Sequence, residues 1–379
     1  MSLQNPTRRR RRWPLILIAL LLVGAGLWAA LWQYGAGVTQ RTIDGWRARE
    51  AAAGRIYTCA SLAVGGFPFD LTVHCAGAGV ELKSNQPPLA LKTQDIRVKA
   101  SVWQPTQLTT EFGSPLAIAE WGKATAITVN WQHAESMLRG LPTSPESASI
   151  HVDRPVVLGA AGGDSLFNAT RFDLDGRIVS GTVQDRPVIE MVLKLIAAAA
   201  PAWHPALAVP VDADITAVFR GLKDFSPKPW SARLRELQAA GGRIEITKAR
   251  LQQRDTVATA EGALGLSPAG RLNGDLQLTV ANLEAFLPAL GLDRMLSQEQ
   301  ASPRLNEAFG RLDRIMPGLG NMARRNAGPA IVAGVNAMGQ PAELEGRRAV
   351  KLPLRFDDGM VSLGPLKIGY VPSLFDTGL

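Results

Sequence analysis

The chain has 379 residues, 46% of them apolar and 20% charged, with a formal net charge of +8. That length and apolar share exclude intrinsic disorder and suffice for one large domain or two ordinary ones with real cores. Five of the positive charges form one arginine run near the N-terminus, which leaves 8 − 5 = +3 for the rest, so the basic balance gives no support to a nucleic-acid partner.

Arg8 and Arg12 bracket that run, and the uncharged apolar stretch from Trp13 through Trp28 to Trp32 has about the 20 residues a helix needs to cross a bilayer. Cationic residues beside a span stay on the cytoplasmic side. This predicts a basic cytoplasmic tail at 1–12, a single transmembrane anchor at 13–34 in the inner membrane, and the remainder in the periplasm. Trp28, Trp32 and Tyr34 fit an interfacial aromatic belt. The alternative is a cleaved secretory signal, whose apolar core spans about 7–15 residues before a small-x-small site; Ala29 and Ala30 are small, but this run is longer.

A helical stalk is predicted over 35–55, with Ile43, Trp46 and Ala53 as its apolar positions and Gly54 as its stop. The period then changes from helical to two. Ile56, Ala60, Leu62 and Val64 alternate with polar or small residues, Gly65-Gly66 marks a reversal, and Phe67, Phe69, Leu71, Val73 and Cys75 alternate with Pro68, Asp70, Thr72 and His74. The chain's two cysteines, Cys59 and Cys75, flank this reversal symmetrically about Phe67. Facing each other across adjacent strands in an oxidising compartment, they are expected to form a disulfide closing a loop of about 15 residues, worth roughly 3 kcal/mol. A redox pair, or a metal site with His74, is the alternative, but neither the spacing nor the ligand set has the usual pattern.

Strand patterns continue at Ile96, Val98, Ala100 and Val102, at Ile127, Val129 and Trp131, and at Ile150 and Val152, separated by Pro and Gly clusters. They predict an antiparallel meander with one dry and one wet face. Residues 188–200 are apolar on most sides and too short and charged to span a bilayer, so a helix packed on the sheet, or touching the membrane surface, is expected there. The organisation predicted is a first β-rich half at 56–200, a Pro-rich connection at 201–229 with one strand at 211–219, and a second half at 230–379; 56–379 as one continuous domain is the alternative. In the second half a helix is expected at 230–240, strands at 243–251, 256–266 and 271–280, helices at 283–290, 303–315 and 321–338, and strands at 350–356 and 360–370. The fold class is therefore α+β and β-rich: an N-terminal transmembrane helix followed by a large antiparallel curved sheet with packing helices.

Catalytic chemistry is mostly missing from the sequence. Gly163-Asp164-Ser165-Leu166 matches the opening motif of an esterase family with Ser165 as nucleophile, yet the downstream histidine, His204, lacks the Asp-x-x-His setting a base partner would have. His74, His133, His151 and His204 are scattered, and the paired carboxylates Asp173 and Asp175, and Asp357 and Asp358, precede turn glycines. No catalytic residue, cofactor or metal ligand is assigned. Trp103, Trp121 and Trp131, among nine tryptophans, lie in or beside strands and either line an apolar groove or belong to ordinary core.

The Gly66-Phe67-Pro68-Phe69 hairpin between the cysteines, the tryptophan at Trp46 and the C-terminal LPLRFDDGMVSLGPLKIGYVP beginning at Leu352 resemble an uncharacterised family of membrane-anchored periplasmic proteins from alphaproteobacteria, classed as a domain of unknown function. That resemblance implies location and extent, and no catalytic residues. The segment GALGLSPAGRLNGDLQLTV from Gly262 is weakly similar to AsmA-like envelope proteins, which implies a curved sheet whose dry face can hold acyl chains. The expected function is a non-enzymatic periplasmic domain on an inner-membrane anchor that holds or transfers lipid. The alternatives are a scaffold binding another envelope protein and, third, an envelope hydrolase using Ser165.

Overall fold

The apolar run that begins at Trp13 does not stop at its aromatic end. In the computed structural model, which describes residues 13–85, 87–141, 144–160, 163, 165–203, 205–226, 228–282, 339–364 and 366–375, it continues as one helix, α1 (Trp13–Ala52). At 1.5 Å per residue its 40 residues reach about 60 Å, twice the hydrocarbon thickness of a bilayer, so the membrane-length segment and the stalk form a single rod. Among the described residues α1 is the one helix long and apolar enough to cross a membrane. Gly54, at φ +80°, ends it, a conformation that costs glycine nothing.

Each segment with period-two alternation becomes a strand in one antiparallel sheet. β1 (Arg55–Thr58) and β2 (Ser61–Gly65) form one broken strand along β3 (Asp70–Leu82), and β4 (Leu89–Ser101) covers the other edge of β3. The next strands are long and broken in the middle: β5 (Gln104–Phe112) with β6 (Leu116–Glu120), β7 (Thr125–Asn130) with β8 (His133–Arg139), β9 (Ser147–Asp153) with β10 (Val156–Gly159), and β11 (Ser165–Asn168) with β12 (Arg171–Thr182). Their upper segments pair as β4–β6–β7–β10–β11 and their lower ones as β4–β5–β8–β9–β12. Unbroken strands follow: β13 (Asp185–Ala198), β14 (Val211–Arg220), β15 (Arg243–Gln253), β16 (Thr256–Leu266) and β17 (Leu272–Ala281). β18 (Gln340–Leu344), β19 (Arg347–Asp357), β20 (Met360–Leu363) and β21 (Leu366–Tyr370) close the chain, with β19 lying along β17. The expected β-rich class, with a large antiparallel sheet, is the one observed.

The register sorts the side chains into faces. Directly opposed residues from β2 to β19 read Val64, Val73, Val98, Thr110, Ser136, Ile150, Leu174, Leu193, Ile215, Ala249, Ala260, Leu278 and Leu352. The adjacent row, one residue along and so on the other face, reads Ala63, His74, Arg97, Glu111, Glu135, His151, Asp173, Lys194, Asp214, Arg250, Thr259, Thr279 and Lys351. A sheet side-chain period of two turns one alternating sequence into one greasy face and one charged face.

Residues 188–200 are not the expected helix but most of β13 and its exit. Glu190 and Lys194, four apart, would share a helix face, and they share a strand face equally well. In the observed register Glu190 lies opposite Arg177 and Lys194 opposite Asp173 and Asp214 on the charged side, while Met191, Leu193 and Leu195 join the apolar side. β-Branched Val188, Ile189, Val192 and Ile196 favour this pleated state, and neighbours on both edges supply the ladder hydrogen bonds. An apolar run of this length is ambiguous by periodicity alone.

The short helix α2 (Trp230–Ala239) follows the expected pattern and lies on the apolar face. Its Leu237, 2% exposed, packs with Ile189 and Leu222 against Met191, Phe219, Ile244 and Leu266. Arg233 of the same helix is also buried, and its guanidinium donates to the carbonyls of Asp224, at 2.5 Å, and Ser226 while stacking 4.8 Å from the Phe225 ring. The expected helices at 283–290, 303–315 and 321–338 lie outside the described residues.

Candidate functional site

The breaks in the long strands fall side by side, and together they crease the sheet. In β3 the crease is a bulge at Gly77, φ +59°, where a Cβ would come within 2.9 Å of the Ala60 Cβ, so only glycine fits. Between β5 and β6 it is Gly113-Ser114-Pro115, and between β9 and β10 Arg154-Pro155; proline cannot donate to a ladder, and Arg154 sits at φ 49°. Hydrogen bonds bridge the gap. Trp131 Nε1 donates to the Phe112 carbonyl at 2.9 Å and its backbone N–H to Ser114 Oγ at 3.2 Å. The Gln132 N–H reaches Asp153 O at 2.9 Å and Arg154 N–H reaches Thr170 O at 3.0 Å.

Inside the crease lies a cavity of about 480 Å³. Its walls come from the apolar rows and the crease itself: Val80 of β3, Leu91 and Ile96 of β4, Phe112, Leu116, Val129, Trp131, Ala134, Ile150, Val152, Pro155 and Phe172, with Tyr57 at one end. Because these walls belong to the greasy face, the sheet curls toward that face. The volume falls in the range of small-ligand sites, about 300–1,000 Å³. Lys92, between the lining residues Leu91 and Thr93, pairs with Gly79 and Ala117 and turns its side chain to the other, exposed face. Such a site can exclude water from a hydrocarbon segment.

The crease stands next to α1. Trp28 Nε1 donates to Pro68 O at 2.9 Å, Trp32 Nε1 donates to Asp70 O at 3.0 Å, and Arg47 donates through Nη2 to Tyr57 O at 2.9 Å. Trp46 packs on the Tyr57 ring with centroids 4.6 Å apart. Trp13, at the start of the helix, is 75% exposed, and Arg8 and Arg12 lie outside the described residues. Cys59 and Cys75 are joined in a disulfide with a Cα–Cα distance of 5.4 Å, tying the β1–β2 break to β3.

The ionisable groups gather on the other face. His151 bonds Asp173 through Nδ1 and faces Asp153 at 3.2 Å through Nε2; the Asp173 hydrogen bond, against some desolvation, raises the imidazole above its ordinary value. Desolvation pulls Asp153 upward, but His151 and Arg171 outweigh it and hold that carboxylate low. His74 meets Asp95 at 3.2 Å diagonally across β3 and β4, and His133 meets Glu135, two residues along β8, at 3.6 Å. His204 and Asp164 lie outside the described residues. Ser165 donates to Phe167 O at 3.3 Å and accepts from Asn168 Nδ2 at 3.3 Å, both on its own strand. Among the described residues no group of three or more His, Cys, Asp or Glu is placed to hold a metal ion.

Of the strand tryptophans, Trp131 lines the cavity, whereas Trp103 and Trp121 are exposed at opposite ends of the sheet. Sequence reasoning missed the crease and with it Phe112 and Phe172. The available signal was the set of strand breakers at Gly77, Pro115 and Pro155, whose equal height in the sheet becomes visible only once the register is known.

No curated protein and no solved structure matches this chain. A family described as an uncharacterised protein conserved in bacteria, DUF2125, matches residues 32–372, from the last tryptophan of the apolar run to the residues just past β21, and the chain belongs to that family.

Proposed function

We propose that this is a non-enzymatic protein of the bacterial envelope, anchored in the inner membrane by α1 with its sheet in the periplasm, and that it holds or transfers a lipid by taking an acyl chain into the crease. The observation that carries the reading is the cavity of about 480 Å³ walled by apolar side chains. An acyl chain matches both its size and its apolar walls. The arginine run at 8–12 beside the apolar stretch supports the orientation, and the disulfide fits an oxidising compartment. The side chain of Ser165, engaged within its own strand, supports leaving the hydrolase aside.

Native mass spectrometry of the full-length chain released from detergent tests this. Phospholipid adducts are expected, and Ile150→Glu should abolish them, at a position exposed enough to accept a charge without unfolding the sheet. Adducts that persist unchanged in Ile150→Glu overturn the groove. A ligand-free mass with a stoichiometric envelope protein attached would point to the scaffold reading instead.

A further inference from the structure

The turns of the first two hairpins carry aromatic side chains out into the open right beside the anchor. We infer that the sheet makes a second contact with the bilayer, at the interface where α1 emerges, through the β2–β3 and β4–β5 turns. This rests on the anchor reading above and is independent of what the crease holds.

The level of these turns relative to the membrane follows from α1. Twenty residues at 1.5 Å each, from Trp13 to Trp32, rise about 30 Å, the hydrocarbon thickness. Trp32 therefore marks the exit from the hydrocarbon, and Trp28 sits one helical turn deeper. Both are fastened to the β2–β3 turn: Trp28 to the Pro68 carbonyl, Trp32 to the Asp70 carbonyl, and the Phe67 ring edge-on to Trp32 at 5.5 Å. The β4–β5 turn stands alongside, with the Val102 N–H on Phe69 O at 2.9 Å and the Trp103 ring 5.9 Å from that of Phe69.

At that height the apolar groups face outward. Phe67 is 54% exposed, Phe69 52% and Trp103 77%. Adjoining exposed aromatics mark an interaction surface, and the head-group region is where amphipathic rings such as tryptophan settle. Polar chemistry begins just behind them, with Lys99 on Asp70 at 2.9 Å. From these turns β3 runs away in the same direction as α1, since Trp46, further along the helix, packs on Tyr57 opposite Val80. The turns are thus feet on which the sheet stands. Trp121 is comparably exposed, at 54%, but at the far end of β6 with Lys83 over its ring, so it provides an internal control.

The test uses the full-length chain in vesicles of phosphatidylethanolamine and phosphatidylglycerol that carry a phospholipid with a photoreactive diazirine near the head group. After irradiation, labelled residues are mapped by mass spectrometry. Labels are expected on α1 near Trp28 and Trp32 and on Phe67, Phe69 and Trp103, several-fold above any on Trp121. The double variant Phe69→Glu with Trp103→Glu should lose the labels on both turns and keep those on α1. Labels on α1 with unlabelled turns overturn the second contact and leave the anchor standing; absence of labels on α1, with the protein released from the vesicles by alkaline carbonate, overturns the anchor reading and this one together.

Discussion

Cys59 and Cys75 show how one pair of residues can secure a local irregularity. The β1–β2 break and the Gly77 bulge lie opposite each other, and the disulfide joins the strands across them with 16 residues of separation. A closed loop of that size is worth about 3 kcal/mol, so Cys59→Ala with Cys75→Ala should lower the urea midpoint by that equivalent, and reductant should shift the wild type alone. His151 offers a pH handle. Its pKa is raised by Asp173, so the protonated imidazole stabilises the fold. That contribution is complete below the unfolded value of 6.5 and is lost as the pH climbs through the higher folded value. The thermal midpoint of the wild type should exceed that of His151→Gln at mildly acidic pH and converge on it in alkaline buffer, a difference of at most about 1 kcal/mol for so accessible a pair. An equal gap at both ends of the range would assign His151 a packing role instead.

At the scale of elements, α2 is the piece whose loss should be felt most widely, because it covers part of the greasy face that the sheet cannot cover itself. Leu237→Ala empties the centre of its contact with Ile189, Phe219 and Ile244 and should cost about 2–5 kcal/mol, seen as an earlier urea transition with the far-ultraviolet strand signal retained below it. Element identity was legible where alternation was strict: β16 and α2 coincide with their patterns to within a residue. It was illegible in β13, where apolar residues such as Val192 and Ile196 occupy the charged face too and erase the period of two. The helix α1 was legible as a membrane-length run and as a stalk, but the continuity between them was not, since nothing in the composition of residues 33–38 distinguishes a hinge from a rod.

For the whole molecule, the sequence predicts a one-faced sheet, and the cross-strand rows display it from β2 to β19. What it does not predict is how that sheet bends. Pro115 and Pro155 read singly as loop residues; their alignment into one crease depends on register, which is a property of pairs of strands. The cavity is therefore a product of tertiary arrangement, and its wall residues Phe112 and Phe172 carry no local mark that separates them from other strand aromatics.

The meander also dictates an order of assembly. From β3 to β17 every strand, whole or broken, pairs with the whole or broken strand synthesised just before it, so the sheet can grow from its N-terminal end as the chain arrives, with little loop entropy to overcome at each addition. The exception is β19, which must reach β17 across the residues between Ala281 and Gln340. Until it does, the edge of β17 remains an unpaired template of backbone donors and acceptors, and the nascent protein is most exposed to sticking to its neighbours at its last step rather than its first.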